Sequence, residues 1–486
     1  MREIKKLLID GVWMDGEPGV QRLFSTNPAT GAVNHEIAAA GTQFAAAAVT
    51  AAHRACRQPG WRDMLPAERA LILYRIAEGI QAHSEEMSRL QMLENGKVWK
   101  ECQAQVKSAA ATFRYYAGVC ETLGSEVTPA RGNYLSLSVY EAYGVVVAIT
   151  PWNSPMTMEA QKIAPALAAG NAVILKPSEV TPSTGLLLGR IALDAGLPPG
   201  ILNVLPGWGH EVGAALVAHP QVRLVSFTGG TESGRRIAQV AAAKLMPVAL
   251  ELGGKSPHIV FDDADLDLAV DSIAGGIFEG SGQSCVAGSR AFVQRGVYDQ
   301  LLRKLVERAR AITVHLPDQD HAQMGPMASF AHRDKVASMV AQAIADGAKA
   351  ECGARAPEDK ALAAGAFYLP TILTGMRNAD AIAQQEIFGP VLCLMPFDDE
   401  ADLVEQANAS VFGLAAGIWT GSYQRAWRVA RALEAGTVWI NTYKQLSIAT
   451  PFGGFKDSGI GREKGIQGVR LYQQAKGIFF GMGEGK

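Results

Sequence analysis

Cys285 is the residue of this sequence best placed to act as a nucleophile. It lies in Gly282-Gln283-Ser284-Cys285-Val286-Ala287-Gly288-Ser289, between a helical stretch and a strand. Glycine and other small residues let the backbone approach a ligand closely, so a thiolate at this position could reach a substrate. A single cysteine is otherwise most often a small buried hydrophobe, and the local context leaves the two interpretations equally weighted.

Glu251 is a candidate general base. It ends the apolar run Val248-Ala249-Leu250 and is followed by Leu252-Gly253-Gly254-Lys255. Burying an unpaired carboxylate is costly, so packing alone does not account for it. Desolvation raises the pKa of such a group toward the range that suits a base. The alternative is an ordinary ion pair with a nearby Arg or Lys.

Asn153 is a candidate donor to an oxyanion. It stands in Ile149-Thr150-Pro151-Trp152-Asn153-Ser154-Pro155, where a strand enters a turn restrained by two prolines. Such a turn holds the amide in place for a negative charge that develops on a substrate. An ordinary turn asparagine is the alternative.

Two further motifs follow strands and could bind a nucleotide. Phe227-Thr228-Gly229-Gly230-Thr231-Glu232-Ser233-Gly234 opens a helix, where glycines allow a pyrophosphate to approach backbone N–H groups. It is not a GxGxxG fingerprint, and a plain strand-to-helix turn is the alternative. Lys176-Pro177-Ser178-Glu179 could hydrogen-bond an adenosine ribose, and a solvent-exposed ion pair explains it equally well.

The elements that carry these motifs predict a doubly wound α/β domain. Near-continuous apolar runs alternate with helical segments such as 183–195 and 209–218, a pattern typical of parallel strands that helices cover on both faces. The predicted strands are Val145–Ile149, Ala172–Leu175, Leu202–Leu205, Leu224–Phe227 and Val248–Leu250.

A second α/β series follows Gly253-Gly254, with a long helix at 297–313. Its predicted strands are His258–Phe261, Ala291–Gln294, Val391–Leu394 and Thr437–Ile440. Residues 133–140 alternate apolar and polar side chains, as a half-exposed antiparallel strand does, and residues 468–480 have similar character. Exposed strands of this kind are usually covered by a partner subunit.

Size and charge exclude several classes of protein. A chain of 486 residues, 48% hydrophobic and 19% charged, predicts two or three globular domains. The formal net charge of -2 gives no overall attraction to nucleic acid or to an anionic membrane. The six cysteines form no CxxC pair and no metal-ligand cluster, and residues 1–8 lack a secretory signal. We therefore expect a cytoplasmic protein with no membrane span and no metal site.

Taken together and in this order, the motifs resemble the aldehyde dehydrogenase superfamily, in its non-phosphorylating branch, and in particular a poorly characterised bacterial subgroup. The match runs from Trp61 to the C-terminal tail. The motifs that carry it are Pro151-Trp152-Asn153, Lys176-Pro177-Ser178-Glu179, Phe227-Thr228-Gly229-Gly230, Glu251-Leu252-Gly253-Gly254-Lys255, Gly282-Gln283-Ser284-Cys285, Glu386-Ile387-Phe388-Gly389-Pro390 and Pro451-Phe452-Gly453-Gly454. The separation of Glu251 and Cys285 along the chain also fits the family.

The resemblance implies NAD(P)-dependent oxidation of an aldehyde to a carboxylic acid. Cys285 would attack the carbonyl, and the Asn153 amide and the Cys285 backbone N–H would hold the oxyanion. Loss of hydride to the nicotinamide would leave a thioester, and Glu251 would activate the water that hydrolyses it. Lys176 would be both a catalytic residue and a residue that binds the cofactor.

The resemblance also implies domains and a cofactor site. Residues 1–123 and 144–252 would form a Rossmann-like NAD-binding domain, 253–453 a catalytic domain, and 124–143 with 468–486 a small antiparallel oligomerisation element of a homodimer or homotetramer. The cofactor contacts would be Ile149, Thr150, Pro151, Trp152, Lys176, Ser178, Glu179, Gly209, Gly213, Phe227, Thr228, Gly229, Gly230, Ser233, Glu251, Leu252, Gly253, Cys285, Glu386 and Phe388. Glu179 can accept from a ribose 2′-OH and should repel a 2′-phosphate, so NAD is favoured over NADP, although nearby Lys176 could offset that repulsion.

The aldehyde itself is the least determined part of this prediction. The positions that match the pocket of the family are Met158, Gln161, Glu279, Ser284, Val286, Lys444, Leu446 and Phe452. Few are aromatic, so a cage for a quaternary ammonium is not expected. Glu279 and Lys444 either pair with each other, which is favoured, or form a polar end that binds a hydroxyl or charged group. An arginine for a distal carboxylate is not evident.

Two rival activities remain at this stage. An acylating dehydrogenase, which transfers the thioester to coenzyme A, would not require a base at Glu251. A cysteine thioesterase or esterase without redox chemistry normally pairs its thiol with a histidine, and none of the nine histidines adjoins Cys285 in sequence.

Overall fold

The structure is a computed structural model, and it describes residues 4–483. The N-terminal part contains strands β1 (Ile4–Lys5), β2 (Leu7–Ile9), β3 (Val12–Met14), β4 (Leu23–Thr26) and β5 (Val33–Ile37), then helices α1 (Thr42–Ala55), α2 (Pro59–Arg62), α3 (Pro66–Ala82), α4 (Ser84–Asn95) and α5 (Trp99–Thr122). Buried alanines of α1 and apolar residues of α3 and α5 face the same core as the sheet that follows them.

The next segment is the predicted α/β series. Its elements are β6 (Glu126–Thr128), β7 (Tyr134–Ala142), β8 (Val145–Ile149), α6 (Pro155–Ala168), β9 (Ala172–Lys176), α7 (Ser183–Asp194), β10 (Leu202–Val204), a π-helical turn (Gly209–Gly213), α8 (Ala214–Ala218), β11 (Leu224–Thr228), α9 (Thr231–Ala243) and β12 (Val248–Glu251). The first sheet has the order β22-β12-β11-β8-β9-β10-β2-β3, where β22 is Gly459–Ile460, and β8 to β12 are mutually parallel. The chain moves outward through β9 and β10, then crosses to β11 and β12. The doubly wound fold is confirmed.

A second sheet of seven strands follows. Its region contains β13 (Pro257–Val260), α10 (Leu266–Phe278), a 3-10 turn (Glu279–Gly282), β14 (Arg290–Gln294), α11 (Arg295–Arg310), α12 (Phe330–Ala345), β15 (Lys349–Cys352), β16 (Thr371–Thr374), α13 (Ala381–Gln384), β17 (Val391–Phe397), α14 (Glu400–Asn408), β18 (Phe412–Gly413), β19 (Ala415–Trp419), α15 (Tyr423–Ala432) and β20 (Thr437–Ile440). The order is β15-β16-β17-β14-β13-β19-β20, with only β15 antiparallel to its neighbour. Two apolar clusters cover its faces.

The C-terminal part returns to the first sheet. It contains β21 (Phe455–Lys456), β22 (Gly459–Ile460), α16 (Gly465–Arg470) and β23 (Gln473–Gly481). β22 pairs with β12, which brings the residues after 453 back beside Glu251. β23 pairs along its whole length with β7, and β6 completes a small antiparallel sheet.

One prediction for the tail is wrong in detail. Residues 468–470 were expected to be strand-like, but they belong to α16, because Gly468 packs tightly against the Tyr116 hydroxyl and Val469 is buried. The strand begins only at Gln473. The domain boundaries remain predictions, and residues 1–3 and 484–486 of the predicted elements lie outside the described residues.

Among residues 4–483, none of the helices has the length and the apolar composition that crossing a membrane requires.

Candidate active site

The carboxyl ends of five parallel strands gather most of the predicted cofactor-binding residues at one edge of the first sheet. The order in which the chain adds strands reverses between β8 and β11, and a ligand of a doubly wound sheet binds at such a switch point. At or just after the strand ends lie Ile149 to Asn153 (β8), Lys176 to Glu179 (β9), Phe227 to Gly230 with Ser233 (β11), and Glu251 to Gly253 (β12). Gly209 and Gly213 lie in the turn after β10.

This edge has the chemistry of a dinucleotide site. The hydroxyls of Thr150 and Thr228 are buried at adjacent strand ends, and none of the residues 4–483 gives them a hydrogen-bond partner. A Cβ added at Gly209, Gly213 or Gly230 would enter open space. Gly230 also caps α9 without a side chain, which leaves the first N–H groups of that helix open to an anion. The hydroxyls without partners, and the backbone N–H groups at glycines beside open space, suit the binding of a phosphate and a ribose.

Lys176 and Glu179 form an ion pair, one of the two interpretations that the sequence leaves open for this motif. The Lys176 Nζ lies 3.1 Å from Glu179 Oε2, with the ammonium buried and the carboxylate partly exposed. Ser178 Oγ accepts from the N–H of Val180 and so shapes the turn. The pair does not exclude ribose binding, since the Glu179 side chain is partly exposed.

Glu386 and Phe388 reach the same crevice from the second sheet. Gly254 N–H donates to Glu386 Oε1 at 3.0 Å, and a Cβ at Gly253 would collide with the same carboxylate. The rings of Phe388 and Trp152 meet edge to face with centroids 5.3 Å apart. Burial raises the pKa of Glu386 to about 7. The crevice is therefore closed by residues from both sheets.

Cys285 is held in a loop of unusual backbone. Gly280, Ser281 and Gly282 all have positive φ, and a Cβ at Gly282 would strike the carbonyl of Gly389, so only glycine fits there. The Asn153 side-chain amide donates to Gln283 O at 2.9 Å. Asn153 therefore stands against the loop two residues before the predicted nucleophile.

The environment of the Cys285 thiol opposes its ionisation. Burial and the nearby carboxylates of Glu386 and Glu251 raise its pKa to about 12, while hydrogen bonds from the backbone N–H groups of Val286 and Cys285 partly offset that rise. Those N–H groups are the donors that a thiolate or an adjacent oxyanion needs. The thiol packs against a small apolar cluster that includes Phe452 and Tyr443.

Glu251 is buried at the end of β12. Its Oε1 lies close to the backbone of Gly453, and Oε2 has no hydrogen-bond partner in the described part of the chain. Burial and the charge of Glu463 raise its pKa well above the ordinary value. None of the residues 4–483 forms with Glu251 the ion pair that is the alternative interpretation of the sequence, and the raised pKa suits a general base.

Sequence reasoning missed a buried charged cluster next to Glu251. Lys162 Nζ lies 2.6 Å from Glu463 Oε1 and 3.0 Å from Ser226 Oγ, and all three residues are buried. Gln161, predicted to line the aldehyde pocket, donates to Glu463 Oε2. Residues 162 and 463 are remote in sequence, so the periodicity of α6 gave the only available signal, a lysine on an otherwise buried helix.

Tyr443 was also missed. Its hydroxyl donates to Val286 O at 2.9 Å, and its ring stacks on His258 with centroids 3.8 Å apart. Burial lowers the pKa of His258 to about 3, so its ring is neutral. The tyrosine therefore holds the backbone of Val286, the residue that follows Cys285.

The predicted aldehyde-side residues are less uniformly placed. Lys444 Nζ lies 3.8 Å from the exposed carboxylate of Glu279 and donates to Gly275 O, which confirms the favoured pairing. Ser284 and Val286 flank the thiol. Leu446 is half exposed, and Met158 is half-buried on α6.

Comparison with known proteins identifies the architecture. The family model described as "Aldehyde dehydrogenase family" matches residues 13–478. The chain is 40% identical to betaine aldehyde dehydrogenase of Bacillus subtilis over 97% of this chain and 96% of that protein, and 41% identical to aldehyde dehydrogenase family 2 member B4, mitochondrial, of Arabidopsis thaliana, over 97% and 87%. The solved NAD+ complex of an aldehyde dehydrogenase from Bacillus cereus superposes with a TM-score of 0.96 at 37% identity, over 99% of this chain and 97% of that one. The chain therefore belongs to the aldehyde dehydrogenase family.

Proposed function

We propose that this aldehyde dehydrogenase uses NAD to oxidise an aldehyde to the carboxylic acid through a thioester on Cys285. The observation that carries the proposal is the convergence of three groups from separate segments. The Asn153 amide touches the Cys285 loop, and the carboxylate of Glu251 is close enough to the thiol to influence its ionisation.

The residues at the strand ends suit the binding of NAD. The unpaired hydroxyls of Thr150 and Thr228 can bond to phosphate or ribose oxygens, and Gly230 leaves the start of α9 bare. Glu179 would accept from the ribose 2′-OH, which favours NAD over NADP. NAD, when bound, supplies the acceptor for the hydride that leaves the former aldehyde carbon.

The chain's own groups account for the covalent steps. The thiol of Cys285 loses its proton to the Glu251 carboxylate, and the sulfur forms a bond to the carbonyl carbon. The electron pair of the C=O bond moves to oxygen, where the Asn153 amide and the Cys285 N–H donate to it. The raised pKa of Glu251 makes it able to hold that proton.

Hydrolysis uses the same carboxylate again. Glu251 takes a proton from water as the hydroxyl oxygen attacks the thioester carbon, and the C–S bond breaks when the oxyanion collapses. The thiolate leaves, and the products are a carboxylate and a free Cys285. Glu251 lies beside Gly453. Among the described residues no cation donates a hydrogen bond to its carboxylate, so the oxygens remain available to accept a proton from water.

Two substitutions test this proposal. Cys285→Ala should lower NADH formation by at least about a thousandfold. Glu251→Gln should form NADH in a slower burst of no more than one equivalent per active site and then turn over more slowly still, because the Cys285 proton loses its acceptor and the hydrolytic water loses its base. Glu232→Gln, an exposed carboxylate on α9, is the matched control and should behave as the wild type.

The outcomes separate the rival activities. If Glu251→Gln left the steady-state rate unchanged with hydrolysis rate-limiting, Glu251 would not be the base. Acceleration of turnover by added coenzyme A would indicate an acylating enzyme. Ester cleavage without NADH formation would indicate a cysteine hydrolase.

We propose also that the protein acts in the cytoplasm as a homodimer or homotetramer. The small sheet of β6, β7 and β23 supports an oligomer, because it exposes Val127, Phe479 and Phe480. Sedimentation of the purified protein tests this part.

A further inference from the structure

Lys464 has a backbone conformation that lysine rarely adopts. Its φ is 61° and its ψ is 168°, a region that only glycine occupies without strain. It precedes Gly465 and follows Glu463, and it lies in the loop between β22 and α16. Strain of this kind persists where the surrounding structure enforces it and concentrates at functional sites.

The ammonium of Lys464 lies over the ring of Phe452, in the cluster that packs against the nucleophile. Its Nζ sits 5.2 Å from the centroid of the Phe452 ring, and Phe452 belongs to the cluster that packs against Cys285. Lys464 is half-buried, and no carboxylate within the described residues comes within ion-pair distance of it. The adjacent Glu463 is already bound to Lys162 and Gln161.

Two other lysines near the site are neutralised by carboxylates. Lys162 pairs with Glu463 at 2.6 Å, and Lys176 pairs with Glu179 at 3.1 Å. Lys444 has a looser pair at 3.8 Å with Glu279, whose side chain is 63% exposed and therefore screened by water. Within residues 4–483, Lys464 thus has no carboxylate partner and Lys444 is only weakly paired.

Electrostatic contacts place both lysines within reach of the reacting centre. Burial lowers the pKa of Lys464, and the charges of Glu463, Cys285 and Glu251 act against that change. Burial likewise lowers the pKa of Lys444, with Glu279 the largest opposing charge and Cys285 among the smaller ones. A half-buried ammonium with an incomplete set of partners is stabilised by an anion.

We propose that Lys464, assisted by Lys444, binds the carboxylate of an aldehyde that carries an anionic group at its other end. The inference rests on the proposed function and specifies its substrate class as the semialdehydes of dicarboxylic acids. A carboxylate at this position would supply the missing negative charge without displacing the pairs of Lys162 or Lys176. Two ammonium groups take the place of the arginine that such a substrate usually meets.

The same charges disfavour a cationic aldehyde. Several relatives are named betaine aldehyde dehydrogenases, and betaine aldehyde carries a quaternary ammonium. In this chain that ammonium would lie beside Lys464 and Lys444, so like charges would meet in a partly desolvated pocket. The substrate of this chain should therefore differ from the one that those relatives are named for.

The test compares aldehydes of matched length with full-length enzyme and NAD. Succinic semialdehyde, butanal and betaine aldehyde are offered to the wild type, to Lys464→Met and to Lys464→Arg. The wild type should prefer succinic semialdehyde over butanal by at least about tenfold in kcat/KM, mainly through KM, and high salt should weaken this preference. Lys464→Met should abolish the preference and leave butanal oxidation within about threefold, and Lys464→Arg should restore most of it.

Controls keep a structural role apart from a binding role. Lys360→Met removes an exposed lysine remote from the site and should leave the preference unchanged. Thermal unfolding of each variant reports its folding, and Lys464→Glu adds a reversal of charge that should favour betaine aldehyde over succinic semialdehyde. Equal loss for charged and neutral aldehydes in Lys464→Met, or a wild type without preference, would overturn the inference while butanal oxidation upholds the dehydrogenase. A lack of NADH from every aldehyde would overturn the proposed function itself.

Discussion

The two sides of Cys285 are built in different ways. The dinucleotide side consists of consecutive strand ends of one parallel sheet, with glycines, buried hydroxyls and a compact ion pair of Lys176 and Glu179. The aldehyde side comes from three loops that are distant in sequence. Two of its lysines, Lys444 and Lys464, have positive φ and incomplete charge pairing.

This difference separates features that follow from the topology of the fold from features that depend on the individual residues of this chain. Parallel strands bring their carboxyl ends to one edge whatever their side chains are, so the first side follows from topology. Loop conformations and their charges depend on individual residues. Changes on the first side should therefore affect every aldehyde alike, and changes on the second should affect aldehydes selectively.

Asn153→Ala should give the largest effect of the first kind. Removing the oxyanion donor should lower kcat about 10²- to 10³-fold, because the developing negative charge loses a fixed N–H. The loop of Cys285 loses its link at Gln283 O as well. Steady-state NADH formation with succinic semialdehyde and butanal should fall by the same factor, and a loss confined to one of them would break the comparison.

Glu179→Gln should change the cofactor and spare the aldehyde. Without the carboxylate, a 2′-phosphate meets Lys176 and no opposing charge, so the ratio of kcat/KM for NADP to that for NAD should rise at least about tenfold. The ratio of succinic semialdehyde to butanal should stay constant. Glu232→Gln, on α9 at the same edge of the sheet, is the control. A shift in aldehyde preference would contradict the division between the two sides.

The ionisation of Cys285 should respond to the two sides with opposite signs. Because its pKa is raised to about 12, alkylation by iodoacetamide in the free enzyme should accelerate as pH rises from about 7 to about 10, without a plateau. Glu386→Gln removes a negative charge and should speed alkylation several-fold, whereas Lys464→Met removes a positive charge and should slow it. Mass spectrometry of the Cys285 peptide measures the rate, and a plateau near the pKa of a free thiol would contradict the buried setting.

Much of the dinucleotide side could be predicted from sequence, and little of the aldehyde side could. The apolar strands and the residues just after them predict a shared edge, and Asn153, Glu251 and Cys285 are recognisable from their local settings. The pairing of Lys162 with Glu463 leaves only a lysine on the buried helix α6 as a local signal, because its partners meet only after β22 returns to the first sheet. The role of Lys464 could not be predicted for the same reason, since its strained φ and its contact with Phe452 are properties of the folded loop.

Glu279→Gln should sharpen the comparison with a smaller effect. The carboxylate of Glu279 competes with an anionic substrate for Lys444, but it is largely exposed and the pair is long. Its removal should raise kcat/KM for succinic semialdehyde about two- to fivefold and leave butanal unchanged. Salt titration provides the check, because the gain should shrink as ionic strength rises. An equal change for both aldehydes would show that Glu279 shapes the pocket by packing.

The smallest expected effect concerns the backbone of Lys464. At φ 61° a Cβ is strained and glycine is not, so Lys464→Gly should be more stable than Lys464→Ala by about 1–2 kcal/mol, measured by urea unfolding. Both variants lose the ammonium and its contact with the Phe452 ring, so their difference isolates the backbone. At Lys107, an exposed position inside α5, the order should reverse, with alanine more stable than glycine by about 1 kcal/mol. Both variants at position 464 should lose the preference for anionic aldehydes equally, because neither carries the ammonium that the strained backbone places beside the substrate. A retained preference in Lys464→Gly would mean that the backbone, and not the ammonium, sets the specificity of this side.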